Sequence, residues 1–543
     1  MWTTTCGLKG RTLRVCITIT AVMGFSLFGY NQGMMAGLID GEEFTRSFSI
    51  LQMPDPATDS QKHYINVIRG AVTACYEIGC FFGALFSMFF GEKLGRTRLI
   101  FAGANVLTIG ALITTVSFGD KWGLGQFVIG RVISGLGNGM NTATIPVWQS
   151  ECSNAHNRGF LVCFEGAMIA VGTFVAYWVV FGLSHTTDTV QWRFPIALQI
   201  FFALIVATGA LVFPDSPRWF VKNGYDREAC EVLAKLKNTT PDSDAVLTDF
   251  NFMKADVESS KTSESSWTAV FTFGKTQEFQ RLLVGCSGQF FQQFTGCNAA
   301  IYYSTLLFKD NLGMDAYLSM IMGGIFATVY ALATIPSFFM IERVGRRNLY
   351  LIGFLGQGLS FVITFACLIK ENEENSKGAA VGIFLFITFF AFTLLPLPWI
   401  YPPEINPLRT RTVGAAASTC TNWICNFAVV MFTPLFANES GWGLYLFFAL
   451  FNFIGLVLGY FFYVETAGRE LEEIDIIYAR AHVEGKMAFK VANDMPKLDF
   501  EQIVQQSREL GLDTSDHSAP EKNELGLSSS DNGQEIEEVQ EKH

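Results

Sequence analysis

The chain has 543 residues, of which 50% are hydrophobic and 14% aromatic, while only 16% are charged. Soluble proteins of this size carry roughly a quarter charged residues, so the composition excludes an ordinary water-soluble globule. The net charge of −11 gathers largely in a tail ending Gln534–His543, whose composition reads as disordered, and it does not argue for a charged partner.

Crossing the hydrocarbon core takes about 20 apolar residues in a helix. Twelve such windows follow one another: 14–37, 65–90, 98–117, 123–147, 160–183, 194–213, 282–308, 317–341, 348–370, 379–401, 412–436 and 443–463, here spans 1 to 12. Runs such as Gly382–Leu395 and Leu444–Phe462 lack the polar face that a buried helix of a soluble protein keeps. The expected fold class is therefore an all-α membrane protein. Its expected divisions are an N-terminus (1–13), spans 1–6 (14–213), a polar linker (214–281), spans 7–12 (282–463) and a tail (464–543) that is largely disordered after about 490.

Basic residues mark the cytoplasmic loops. Lys9, Arg11 and Arg14 precede span 1; Lys93, Arg96 and Arg98 follow span 2; Arg343, Arg346 and Arg347 follow span 8; Arg409 and Arg411 follow span 10. The loop 40–64 is mostly acidic, so both termini are expected in the cytoplasm. The first apolar run leads into Tyr30-Asn31-Gln32, not a small-residue cleavage site, so no removable signal peptide is expected. The 12 cysteines match neither disulfide nor zinc spacing. With no nucleotide loop and no nucleophile–His arrangement either, no enzyme activity, cofactor, metal or nucleic-acid partner is expected.

The chain repeats itself. Gly91-Glu92-Lys93-Leu94-Gly95-Arg96 after span 2 matches Ile341-Glu342-Arg343-Val344-Gly345-Arg346 after span 8. Glu151 precedes Arg158 by seven residues after span 4, and Glu404 precedes Arg411 by seven after span 10. Two six-span halves thus carry matching charged clusters. Such pairs suit a latch that forms when the halves close on the inside and breaks when they rock open. Each exposed pair is worth about 0–1 kcal/mol, enough in sum to bias two states without locking one. With Arg131, Asp215 and Arg218, these residues form the expected cytoplasmic gate.

Taken together, Gly91–Arg98, Pro146–Glu151, Pro214-Asp215-Ser216-Pro217-Arg218-Trp219, Gln289–Tyr303 and Glu465–Asp475 resemble the signatures of sugar porters in the major facilitator superfamily. Ala176-Tyr177-Trp178 through Gln191-Trp192-Arg193-Phe194-Pro195 looks most like a fungal branch with glycerol–proton symporters and monosaccharide carriers. The resemblance implies two six-helix bundles around a cavity that opens alternately to each side, with short cytoplasmic helices in 214–280 and near Leu471–Ala481. In the latter, Thr466 is a candidate cap.

In span 7, Gln289, Gln292, Gln293 and Gly296 share one helical face. Amides are costly in a membrane unless satisfied. They donate and accept as hydroxyls do, which suits a neutral polyhydroxy ligand. Asn298 lies about 180° from Gln289 on a straight helix, so it reaches the same cavity only if the helix unwinds near 296–300; Gly296 is where it would. Tyr302 and Tyr303 would then gate the site. The resemblance adds Trp399, beyond the kinking Pro396 and Pro398, and Asn422 beside Trp423.

Three departures qualify the resemblance. Gly166, with Glu165 adjacent, stands at a usual glutamine of span 5, and Tyr330 at a frequent asparagine of span 8. In span 1, Asn31 replaces the aspartate of proton-coupled members, and an amide carries no proton near neutral pH. That favours facilitated diffusion over symport by the usual aspartate, although Glu77 and Glu165 are intramembrane acids able to exchange a proton. Asn31 and Glu165 complete the expected substrate-binding set. A carrier of another small molecule and a non-transporting nutrient sensor are the competing readings.

Overall fold

The computed structural model describes residues 7–54, 56–153, 158–262, 269–271, 273–370, 373–407 and 410–512. The protein is an all-α membrane protein, and each predicted window falls in helix. The first half comprises spans 1 (Gly10–Leu38), 2 (Asp59–Leu94), 3 (Arg96–Thr115), 4 (Gly125–Cys152), 5 (Arg158–Leu183) and 6 (Val190–Val212). In the second half, spans 9 (Arg346–Leu368), 11 (Arg411–Glu439) and 12 (Gly441–Phe462) are continuous. Span 7 divides into Glu278–Phe294 and Cys297–Leu306, span 8 into Ala316–Leu332 and Ser337–Arg343, and span 10 into Glu373–Phe392 and Leu397–Ile405. The two parts of span 8 meet at 42°, just where Pro336 withdraws a backbone donor.

Within the halves, spans 3 and 4, 2 and 4, and 1 and 5 pack together, as do spans 9 and 10, 9 and 12, and 7 and 11. The halves meet along span 2 against 11, span 5 against 8, and the second part of span 7 against span 1. Linker helices Pro217–Lys222, Asp226–Lys237 and Asp244–Thr262 lie at the end carrying the charged clusters, where Arg14 donates to the Leu236 carbonyl at 3.1 Å. A tail helix, Leu471–Glu484, is fastened by Arg281, which is wholly buried and pairs with Asp475 at 2.6 Å.

The sequence repeat is a structural repeat. Gly95 and Gly345 turn the chain with φ of 93° and 91° just before spans 3 and 9. At the start of span 3, Asp215 accepts from the backbone N–H of Arg96 at 3.1 Å and of Thr97 at 3.4 Å. At the start of span 9, Glu465 does the same for Arg346 at 2.7 Å and Arg347 at 3.1 Å. A carboxylate at a helix N-terminus satisfies orphan donors and complements the helix dipole.

Several expectations are corrected. The gate ion pairs stay within a half. Arg96 meets Glu151 through two hydrogen bonds of 3.2 Å, joining spans 3 and 4, and Arg346 meets Glu342 at 2.9 Å and Glu404 at 3.0 Å. They pair locally because each arginine opens a span whose neighbour in the same half ends beside it. Glu92 binds Lys222 of the linker at 2.7 Å. Arg218 and Arg411 lie at the same end, on the linker and at the start of span 11, whereas the side chain of Arg158 is outside the described residues. Arg131 belongs to the opposite end: it sits near the start of span 4, whose last turn holds Glu151, and donates to the Thr73 carbonyl at 3.1 Å. Thr466 caps no helix; its hydroxyl donates to Glu404 at 2.6 Å, and Glu470 holds the cap position of Leu471–Glu484. Helices Ala488–Asp494 and Phe500–Glu509, the latter with an Asp499–Gln502 capping box, lie in the tail, and residues 513–543, most of the stretch expected to be disordered, are outside the described residues.

Candidate substrate site

Span 7 breaks where the sequence places Gly296. That residue adopts φ 96°, and a Cβ there would lie 2.8 Å from the Phe448 ring, so both conformation and space demand glycine. The break turns Asn298 onto the glutamine face. Its Nδ2 donates to Gln293 Oε1 at 2.7 Å and to Asn426 Oδ1 at 2.8 Å, and its Oδ1 accepts from Gln32 of span 1 at 3.1 Å.

Span 10 breaks beside it for a different reason. Pro398 lacks the N–H that would bond the Leu394 carbonyl, and Pro402 lacks the one that would bond the Pro398 carbonyl. The span 7 glutamines supply substitutes. Gln292 Nε2 donates to the Leu394 carbonyl at 2.8 Å, and Gln289 Nε2 to the Pro398 carbonyl at 2.7 Å. Asn422 of span 11 ties them together, donating to Gln289 Oε1 at 2.6 Å and Gln292 Oε1 at 2.9 Å.

Between these breaks the two halves line a narrow cavity of about 20 Å³. That volume holds about one water. Gln292, Gln293, Asn298, Asn422 and Trp399 line it from the second half, with Tyr330 beside them; Gln32, Phe28 and Ile169 line it from the first. None of the lining residues is charged.

Other expected site residues are placed elsewhere. Asn31 turns back to the Leu27 carbonyl of its own helix at 3.2 Å and does not line the cavity; its neighbour Gln32 does. Gln289 also lies behind the lining, committed to span 10. Tyr303 donates to the Val430 carbonyl at 3.0 Å, away from the cavity. Glu165 is buried on span 5, outside that lining, and among the described residues it makes no hydrogen bond or ion pair. A side chain at Gly166 would point toward Leu395 and Pro396, 3.8 Å away. Trp423 is core: it is fully buried, and its ring meets Phe28 edge-on at 5.2 Å.

At the end away from the charged clusters, the halves are sealed by hydrogen bonds. Tyr177 donates to the Ile301 carbonyl at 2.5 Å, Thr305 donates to the Ala36 carbonyl, and Tyr302 donates to Glu77 of span 2 at 2.5 Å. At the charged end, Phe160 of span 5 meets Phe338 of span 8, with ring centres 5.3 Å apart.

A family model described as "Sugar (and other) transporter" matches residues 16–478. The chain belongs to the sugar porter family of the major facilitator superfamily. Sugar porters are transporters, so this chain is no enzyme. It is 80% identical over 542 residues to the major facilitator superfamily transporter mfsA of Aspergillus fumigatus, covering 100% of both chains. It is 53% identical to the sugar transporter STL1 of Saccharomyces cerevisiae, over 93% of this chain and 88% of that one. In fold it is similar to the proton:xylose symporter XylE bound to 6-bromo-6-deoxy-D-glucose, with a TM-score of 0.72 at 22% identity over 86% of this chain and 99% of that one. XylE from E. coli in an inward open conformation gives 0.67 at 22% identity, over 85% and 99%.

Sequence reasoning missed Gln32, Asn426 and Glu465. Asn426 stands four residues after Asn422, on the same helical face, which was a usable signal. Glu465 lies inside a motif already singled out, but nothing local tells that its carboxylate reaches span 9.

Proposed function

We propose that this sugar porter carries a small neutral polyol or monosaccharide across the plasma membrane by alternating access, with both termini in the cytoplasm. The observation that carries the reading is the lining of the central cavity: neutral amides of Gln292, Gln293, Asn298, Asn422 and Gln32 around the indole of Trp399, with no charged side chain among them. Amides pair with hydroxyls in either direction, and an indole face packs against the C–H face of a polyol. A charged solute would find no counter-ion there. Similarity to the sugar transporter STL1 and to the low-affinity glucose transporter HXT1 of Saccharomyces cerevisiae, the latter 31% identical over 89% of this chain, supports the same class. Orientation rests on the basic loops that cluster at one end.

Counterflow in proteoliposomes tests it. Vesicles preloaded with glycerol, a pentitol or a hexose should draw in the same labelled solute faster than protein-free vesicles. A chain that exchanges only charged solutes, or none of these, overturns the reading.

A further inference from the structure

We propose that Glu77 is a proton-binding site that couples the seal between the halves to the solute cavity; the inference rests on the carrier reading above. Glu77 lies midway along span 2 and is completely buried on the seam with spans 7 and 11. Its Oε1 accepts from the Tyr302 hydroxyl at 2.5 Å, and its Oε2 has no protein partner. Asn426 of span 11 lies beside it.

The groups around Glu77 leave one candidate for gaining and losing charge. Arg131 of span 4 is buried, stacked 4.8 Å over the Tyr76 ring. Among the described residues no carboxylate oxygen comes within 4.0 Å of it. Arg69 of span 2 is already paired with Asp40 at 2.8 Å. Span 2 otherwise contributes Tyr76, Cys75 and Cys80, span 7 contributes Tyr302, Tyr303 and Cys297, and span 11 the neutral Asn426. Phenols and thiols are far weaker acids than a carboxyl. A guanidinium does not release its proton in proteins. Glu77 therefore carries the change.

An ion buried without a partner is costly, which gives the carboxyl two arrangements. Ionised, it accepts strongly from the Tyr302 hydroxyl across the seam and is drawn toward Arg131 inside the first half. Neutral, it is a weaker acceptor and loosens its hold on Tyr302. A proton taken from water adds to the carboxylate, with no other covalent bond made or broken. The weakened Glu77–Tyr302 bond then lets the second part of span 7 part from span 2. Asn426 carries the change inward, because its Oδ1 accepts from the same Asn298 that binds Gln293 and Gln32 in the cavity.

The full chain in proteoliposomes, with radiolabelled glycerol or glucose as probe, provides the test. Wild type should accumulate solute when the outside is acidic. In Glu77→Gln the ratio of gradient-driven accumulation to counterflow should fall at least tenfold. Wild-type counterflow that ignores the proton gradient would overturn the inference and leave the carrier reading intact; absence of any counterflow would overturn both. Equal ratios in Glu77→Gln and wild type would also overturn it. Should Glu77→Gln fail to fold, Tyr302→Phe decides: its counterflow should show a shifted pH profile, and an unchanged profile counts against the proposal.

Discussion

Gln292 stands in for a missing backbone donor, giving its amide N–H to the Leu394 carbonyl that Pro398 cannot serve. Span 10 is thus kept open by a side chain of span 7, and the same side chain lines the central cavity. Removing the donor strands a buried carbonyl at a cost of about 1–3 kcal/mol. Gln292→Leu should lower the melting temperature in detergent. Gln292→Glu keeps the size but, when ionised, can only accept, so it should be destabilised in the same sense. Wild-type melting in both variants would mean the bond holds nothing together.

At the break in span 7, Gly296→Ala must adopt a disfavoured φ and also meet the Phe448 ring. Strain at such a position costs on the order of 1–3 kcal/mol. Adding Phe448→Leu relieves the contact but not the dihedral angle, so the double variant should recover part of the lost stability and counterflow, never all.

Arg346 holds two carboxylates of unequal burial: Glu404 is 22% exposed and Glu342 57%. Exposed pairs contribute about 0–1 kcal/mol, whereas hydrogen bonds to partly buried charges contribute about 1.5–3 kcal/mol. Glu404→Gln should therefore destabilise more than Glu342→Gln in thermal melts. Glu404→Gln also disturbs Thr466, which donates to the same carboxylate.

Asp215 lies outside the spans, and burial raises its carboxyl above the ordinary range against the pull of Ser216, Arg96 and Thr97. The folded chain then retains this proton at a pH where the unfolded chain has released it. The contribution is largest below the usual aspartate value of about 3.9 and is lost as pH rises through the folded value. Asp215→Asn should flatten the pH dependence of melting just above that range, while the slope elsewhere stays as in wild type.

Much of this was readable in the chain. Apolar runs located every span, the Gly91–Arg96 and Ile341–Arg346 repeat showed matching charged clusters in the two halves, and Gly296 marked the break that brings Asn298 to the glutamines. Periodicity names a helical face but not what stands opposite it. The acceptors for Gln289 and Gln292 are backbone carbonyls of another span, visible in sequence only as the proline spacing 398 and 402. Asn31 and Gln32 differ by one position, about 100° around a helix, which separates an amide bonded to its own backbone from one lining the cavity. Arg131 was assigned to the wrong end although its place near the start of the 123–147 window, with Glu151 beyond the other end, was already legible.

Two of the bonds that join the halves away from the charged clusters end on main-chain carbonyls, those of Ile301 and Ala36. Every amino acid carries that acceptor. A substitution at 301 or 36 therefore leaves each bond its acceptor, provided Tyr177 and Thr305 remain, and acts only through the packing of these two buried side chains. Ile301 also borders the central cavity. The side chain at 301 can thus reshape that wall while its carbonyl still holds Tyr177.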